Sequence, residues 1–178
     1  MSDPLLSRRQ LQEALEHLAE RLHRRGVHAE VYVFGGGAMV LGHNAREATM
    51  DLDAAIRRGH GAVTTEAQVV ARELGLPGWW LNEQAAAYLP AASDDEARTV
   101  LAMPGLTVIA ASARHLLAMK ARAARQRDVA DIITLARLVG ASSAEQVIRL
   151  AEQVFGGEPL SDRSTAVLAD LDDTLGAG

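Results

Sequence analysis

"EVYVFGGGAMVLGHNAREATMDLDAAI", residues 30–56, holds the order of elements on which the fold turns. "EVYVF" is β-branched and aromatic and reads as a strand. Gly35, Gly36 and Gly37 follow at once, then a short apolar helix, "AMVLG", and a polar loop, "HNAREAT". "MDLDAAI" fits a second strand, with Met50, Leu52, Ala54 and Ile56 facing one side and Asp51 and Asp53 sharing the other. Two carboxylates on one face repel each other unless water or a cation compensates them. An exposed edge strand would satisfy them with water. A divalent ion would satisfy them as well, and oxygen-only ligation with few protein ligands suits Mg²⁺. The glycines allow a positive φ and let backbone N–H groups approach a phosphate, although a plain strand-to-helix turn uses glycine too. The stretch is neither a Walker loop nor a dinucleotide fingerprint.

A second acidic pair, in "LADLDDTL" near the C-terminus, differs in setting. Val167, Leu168 and Leu171 form a helical stripe there. On a helix, residues two apart diverge by about 200°, which leaves Asp170 and Asp172 on a solvated face.

Working outward, Ser7 and Gln10 form a capping box ahead of Leu11, Leu15, Leu18 and Leu22 at helical spacing, and Gly26 ends that helix. A helix over 64–74 closes at Gly75. "PGWWLNEQAAAYLP" is an irregular or short helical connection, and its Trp79 and Trp80 suit either stacking on a base or plugging the core. "RTVLAM" and "LTVIAA" flank Pro104-Gly105 and read as paired strands. From Ser112 onward the pattern is helical over 112–125, 128–139, 143–155 and 162–175. The expectation is an α+β fold: a mixed β-sheet core flanked by helices over residues 1–111, and a helical C-terminal region over 112–178 packed on it.

Composition narrows the function classes. The chain has 178 residues, 48% hydrophobic and 23% charged, as in globular proteins. No apolar run is long enough for a membrane span and "MSDPLLSRRQ" does not read as a signal peptide, so a cytoplasmic protein is expected. With no cysteine, a metal would need oxygen or imidazole ligands, and the six histidines show no ligand spacing. A net charge of −5 argues against binding long DNA.

Of 18 basic residues, 17 are arginine and one, Lys120, is lysine. In "LLAMKARAARQRDVADI", Lys120, Arg122, Arg125 and Arg127 form the densest basic patch, and Asp128 and Asp131 share a face of the next helix. An ammonium can act as a point charge on a triphosphate and can pass a proton to leaving pyrophosphate, which a guanidinium does poorly. Arg122 and Arg125 read as an exposed helix face with charge pairs. Asp128 suits a helix N-cap as well as a site acid.

"FGGGAMVLGHNAREATMDLDAAI" resembles the first motif of the DNA polymerase β-like nucleotidyltransferases: a glycine turn, a short helix, then Asp-x-Asp on the next strand. With Arg46, Thr49, "GWWLNEQAAAYLP" and the later Lys/Asp segment, residues 30–139 are similar to the compact proteins related to the AbiEii and MenT toxins of bacterial toxin–antitoxin pairs. The resemblance implies that Asp51 and Asp53 bind Mg²⁺ bridging an NTP. It implies that Gly36 and Gly37 hold the phosphates, with Arg46 and Thr49 in the nucleotide-binding set. Lys120 would contact phosphate and Asp128 would be a further acid. The implied reaction is transfer of a nucleotide monophosphate to an acceptor hydroxyl, with a tRNA 3′ end and a cognate antitoxin as partners. Phosphorylation of Thr49, at the lip of the site, would add about −1.5 to −2 charges beside the carboxylates and block it. Two positions depart from the family pattern: Ala38 stands where a hydroxyl is common, and neither "RTVLAM" nor "LTVIAA" carries an acid. A non-catalytic nucleotide- or partner-binding member is therefore the alternative, as is transfer to a protein or small-molecule acceptor.

Overall fold

The structure, a computed structural model, describes residues 5–177. In chain order, the first unit comprises Leu6–Ser7 (β1), Arg8–Arg24 (α1), Ala29–Phe34 (β2), Gly35–Leu41 (α2), Ala48–Thr49 (β3), Leu52–Arg58 (β4), His60–Leu74 (α3), Leu81–Asn82 (β5), Arg98–Met103 (β6) and Leu106–Ala110 (β7). Ala113–Ala123 (α4), Val129–Val139 (α5), Ala144–Val154 (α6), Asp162–Ala169 (α7) and Asp172–Gly176 (α8) follow. The chain forms two compact units: described residues up to 87 together with 97–111, and residues 88–96 together with those from 112 on. The helical unit thus takes in a stretch that precedes residue 112.

The sheet is mixed, in the order β5-β4-β2-β7-β6. β2 runs down its middle, antiparallel to β4 and parallel to β7, while β6 closes an antiparallel hairpin on β7. This is the α+β architecture that the strand and helix patterns call for. Val31, Tyr32, Val33 and Phe34 are all buried, so β2 is covered on both faces, which explains its continuous apolar run. Across it, β4 alternates at its start: Leu52 and Ala54 are buried and Asp53 is half-buried.

Helix α1 packs through Leu11, Ala14, Leu15, Leu18, Ala19 and Leu22. Burying each of those leucines contributes about 2 kcal/mol. Its capping box forms as expected: the Ser7 side chain accepts from Gln10 N, and the Gln10 side chain accepts from Ser7 N. At its far end, Arg21 and Arg25 clamp the buried Glu66 of α3 at 2.6 and 2.9 Å, and Arg21 also reaches Glu73 at 2.8 Å. The Arg21 hydrogen bond, helped by Arg25 and opposed by burial, holds the Glu66 carboxyl below its ordinary range.

In the helical unit, serines start three of the helices: Ser112, Ser143 and Ser161 each accept a backbone N–H three residues on. The expected helix over 162–175 is broken at Asp170-Leu171 into α7 and α8. Asp172 is exposed, yet its carboxylate accepts Ala144 N at 2.7 Å and so serves the start of α6. That corrects the expectation of a purely solvated pair. Asp94, from the segment before β6, accepts Ser112 N at 2.8 Å and lies 3.2 Å from the buried His115 ring. No helix among the described residues is long and apolar enough to cross a membrane.

Candidate functional site

The β2–β4 register sets Phe34 opposite Asp53 and Val33 opposite Ala54. The three glycines, expected as a turn ahead of the short helix, form the first turn of α2 itself, and they land against the beginning of β4. Each glycine meets a different neighbour there. A Cβ on Gly35, whose φ is +60°, would stand 2.7 Å from Asp53 Oδ2. One on Gly36 would stand 2.5 Å from Thr49 Oγ1 and 3.0 Å from an Arg46 guanidinium nitrogen, and one on Gly37 would overlap Leu52 Cδ1. A side chain at any of the three positions would force Asp53, Thr49 or Leu52 to shift, and at Gly35 the left-handed backbone adds strain. Arg8 fixes α2 from the other end by donating to the carbonyls of Val40 and Leu41. A cation there also complements the helix dipole.

Asp53 lies within β4, but Asp51 precedes it: the strand begins at Leu52, and Met50 sits in a bend, 44% exposed instead of facing inward. Both aspartates are half-buried. What holds Asp51 is Asn82 of β5. Asn82 Nδ2 donates to Asp51 Oδ2 at 2.9 Å and to the Trp79 carbonyl at 3.3 Å, while its Oδ1 accepts Gln84 N at 3.1 Å. β5 runs parallel to β4 with Asn82 in register with Asp53, and Leu52 N donates to the Trp80 carbonyl at 2.7 Å. Residues 79–82 therefore line the start of β4. The next acid along, Glu83, is otherwise engaged: one oxygen accepts Ile56 N at 2.8 Å and the other lies 2.6 Å from His60.

Two carboxylates of hard oxygen donors, one oriented by an amide through a single oxygen, are a donor set that fits Mg²⁺ with water and phosphate completing its shell. No group of three or more His, Asp or Glu side chains that could hold a metal occurs among the described residues. The protein's own contribution to a metal would accordingly be the Asp51/Asp53 pair.

Thr49, expected at the lip of the site, is 5% exposed, its hydroxyl turned toward Gly36. It shapes the glycine turn from inside and is not presented for modification. Arg46 is exposed, with its guanidinium near the same glycine.

Within the helical unit, Lys120 is not a free cation. Its ammonium sits between Asp128 Oδ1 and Asp131 Oδ2, 2.8 Å from each, with all three side chains about seven-eighths buried. Asp128 stands at the N-terminal boundary of α5, but its carboxylate does not cap that helix; it takes Lys120 instead. Arg122 packs over the Phe155 ring at 4.3 Å and pairs with Glu158 at 2.6 Å, whereas Arg125 and Arg127 are exposed.

The two tryptophans differ in burial. Trp80 is fully buried and donates its indole N–H to the Ala67 carbonyl at 3.0 Å, while Trp79 is 41% exposed. Sequence patterning passes over Asn82 because β5 has two residues and no periodicity to read. No family model, curated protein or solved structure matches this chain.

Proposed function

We propose that the protein is a Mg²⁺-dependent nucleotidyltransferase related to the DNA polymerase β-like superfamily and to the AbiEii/MenT toxins. It would transfer a nucleotide monophosphate from an NTP to an acceptor hydroxyl, with a tRNA 3′ end as the proposed acceptor and a cognate antitoxin as the proposed partner. The observation that supports this reading is the Asp53 carboxylate directly against Gly35, with Asp51, two residues before it, held by Asn82.

Asp51 and Asp53 would hold the metal, which when bound supplies charge neutralisation on the triphosphate. In this reading backbone N–H groups of the glycine stretch would approach the phosphate oxygens, and the exposed Arg46 adds positive charge next to Gly36. The acceptor oxygen forms a bond to the α-phosphorus, the bond from that phosphorus to the bridging oxygen breaks, pyrophosphate leaves, and the hydroxyl proton passes to solvent. Positioning carries the rate in such a site. Arg125 and Arg127 offer an acidic protein a local basic surface for an RNA.

Incubation with Mg²⁺, each labelled NTP and total tRNA, beside Asp53→Ala, tests the reading. Label transferred by the wild type and lost in the variant supports it; absence of transfer to tRNA with every NTP overturns it. A second reading, a nucleotide-binding member without catalysis, is favoured by two observations. β6 and β7 carry no acid, and Lys120 is engaged by two aspartates. NTP binding without transfer to any acceptor would support that one.

A further inference from the structure

We infer that Trp79 is the platform on which the nucleobase of the bound nucleotide stacks, with Met50 beside Asp51 as a second apolar contact. The inference rests on the nucleotide reading of the Asp51/Asp53 site and extends it to the base.

The chain has six aromatic residues of the Phe, Trp and Tyr types. Within the sheet unit Tyr32, Phe34 and Trp80 are buried in its core, whereas Trp79 is 41% exposed. Its neighbour Trp80 fills the core pocket and satisfies its own N–H on Ala67, whereas Trp79 leaves about two-fifths of its surface open to a ligand. The position of Trp79 is also fixed relative to the carboxylates. The amide group of Asn82 donates at once to Asp51 Oδ2 and to the Trp79 carbonyl, and Leu52 N is bonded to the next carbonyl along. One side chain therefore ties the indole's backbone to a carboxylate that would face the triphosphate. On the β4 side, Met50 directly precedes Asp51 and is 44% exposed, so two residues of this unit with large exposed apolar side chains are linked to the same aspartate, one by the chain and one through Asn82. Exposed rings and thioethers next to a phosphate-handling pair provide what a base requires, a flat π-face and a polarisable edge. Stacking is tolerant of base identity, so this contact strengthens binding of every NTP without choosing among them.

The test compares Mg²⁺-NTP with Mg²⁺-tripolyphosphate, which has the phosphates and no base, by titration calorimetry on the full chain. The wild type is expected to bind the NTPs at least about tenfold tighter than tripolyphosphate, with quenching of tryptophan emission by the NTPs alone. Trp79→Ala is expected to bind tripolyphosphate as the wild type does, which also reports that the site is folded, and to lose the added affinity for NTP. Trp79→Phe should recover most of it. Equal NTP affinity in the wild type and Trp79→Ala, or no preference of the wild type for NTP over tripolyphosphate, overturns the stacking inference and leaves the nucleotide reading standing. A wild type that binds neither compound overturns both.

Discussion

The Asp53 carboxylate lies against the Cα of Gly35, so close that a methyl group there would stand 2.7 Å from Oδ2. A backbone position on one element thereby sets the place of a charged side chain on another.

Gly35 and Gly75 both have φ near +60°, but space around Gly75 is open. Alanine at either position meets left-handed strain of about 1–2 kcal/mol. Only Gly35→Ala also displaces Asp53, so it is expected to lose about 1–3 kcal/mol more in urea unfolding and, under the proposed function, to reduce nucleotide transfer by about a hundredfold. Equal losses in the two variants would mean that the Asp53 contact constrains nothing.

Gly37 and Leu52 should be coupled. Gly37→Ala forces a methyl into the buried Leu52 side chain, and Leu52→Ala leaves a cavity costing about 2–5 kcal/mol. In the double variant the new methyl enters the new space, so the combined loss should fall short of the sum by about 1 kcal/mol or more. Strict additivity in denaturant melts would count against this packing.

How far these relationships can be read from sequence depends on their range. The strand, the three glycines and the Asp-x-Asp follow from local composition, as do α1 with its capping box and the β6–β7 hairpin. Asn82 escapes because its function is a single hydrogen bond to a residue 31 positions away. The start of β4 is misread at Met50 because alternation alone does not reveal the bend that separates β3 from β4. The break in the last helix escapes for a related reason: Asp172 is drawn to Ala144 N, 28 residues back, and helix propensity carries no trace of that partner. The pairing of Lys120 with Asp128 and Asp131 is visible as spacing, but its burial is a property of the fold.

Lys120→Met leaves two mostly buried aspartates uncompensated and is expected to destabilise the protein by about 3–5 kcal/mol. Adding Asp128→Asn and Asp131→Asn should return much of that loss, as measured by thermal unfolding. A Lys120→Met protein as stable as the wild type would show that the cluster holds no part of the fold.

Glu66 gives a pH dependence whose sign is fixed. Its folded pKa lies below the ordinary value of 4.5 because Arg21 and Arg25 favour the carboxylate. The resulting stabilisation is fully present above that value and is lost as pH falls through the folded pKa. Glu66→Gln should therefore cost about 1–3 kcal/mol at pH 7 and flatten the acid limb of the stability curve. A variant whose acid limb overlays the wild type would contradict this.

Residues 88–96 join the helical unit although they are encoded between β5 and β6 of the sheet unit. The chain leaves one unit after residue 87, returns after 96 and departs again after 111. Neither unit is a continuous stretch of the gene. A fragment ending at 111 carries away Asp94, and with it the acceptor for Ser112 N and the carboxylate beside His115. A protease cut at that boundary would leave residues 88–96 on the sheet-unit fragment, parted from the helices with which they cluster.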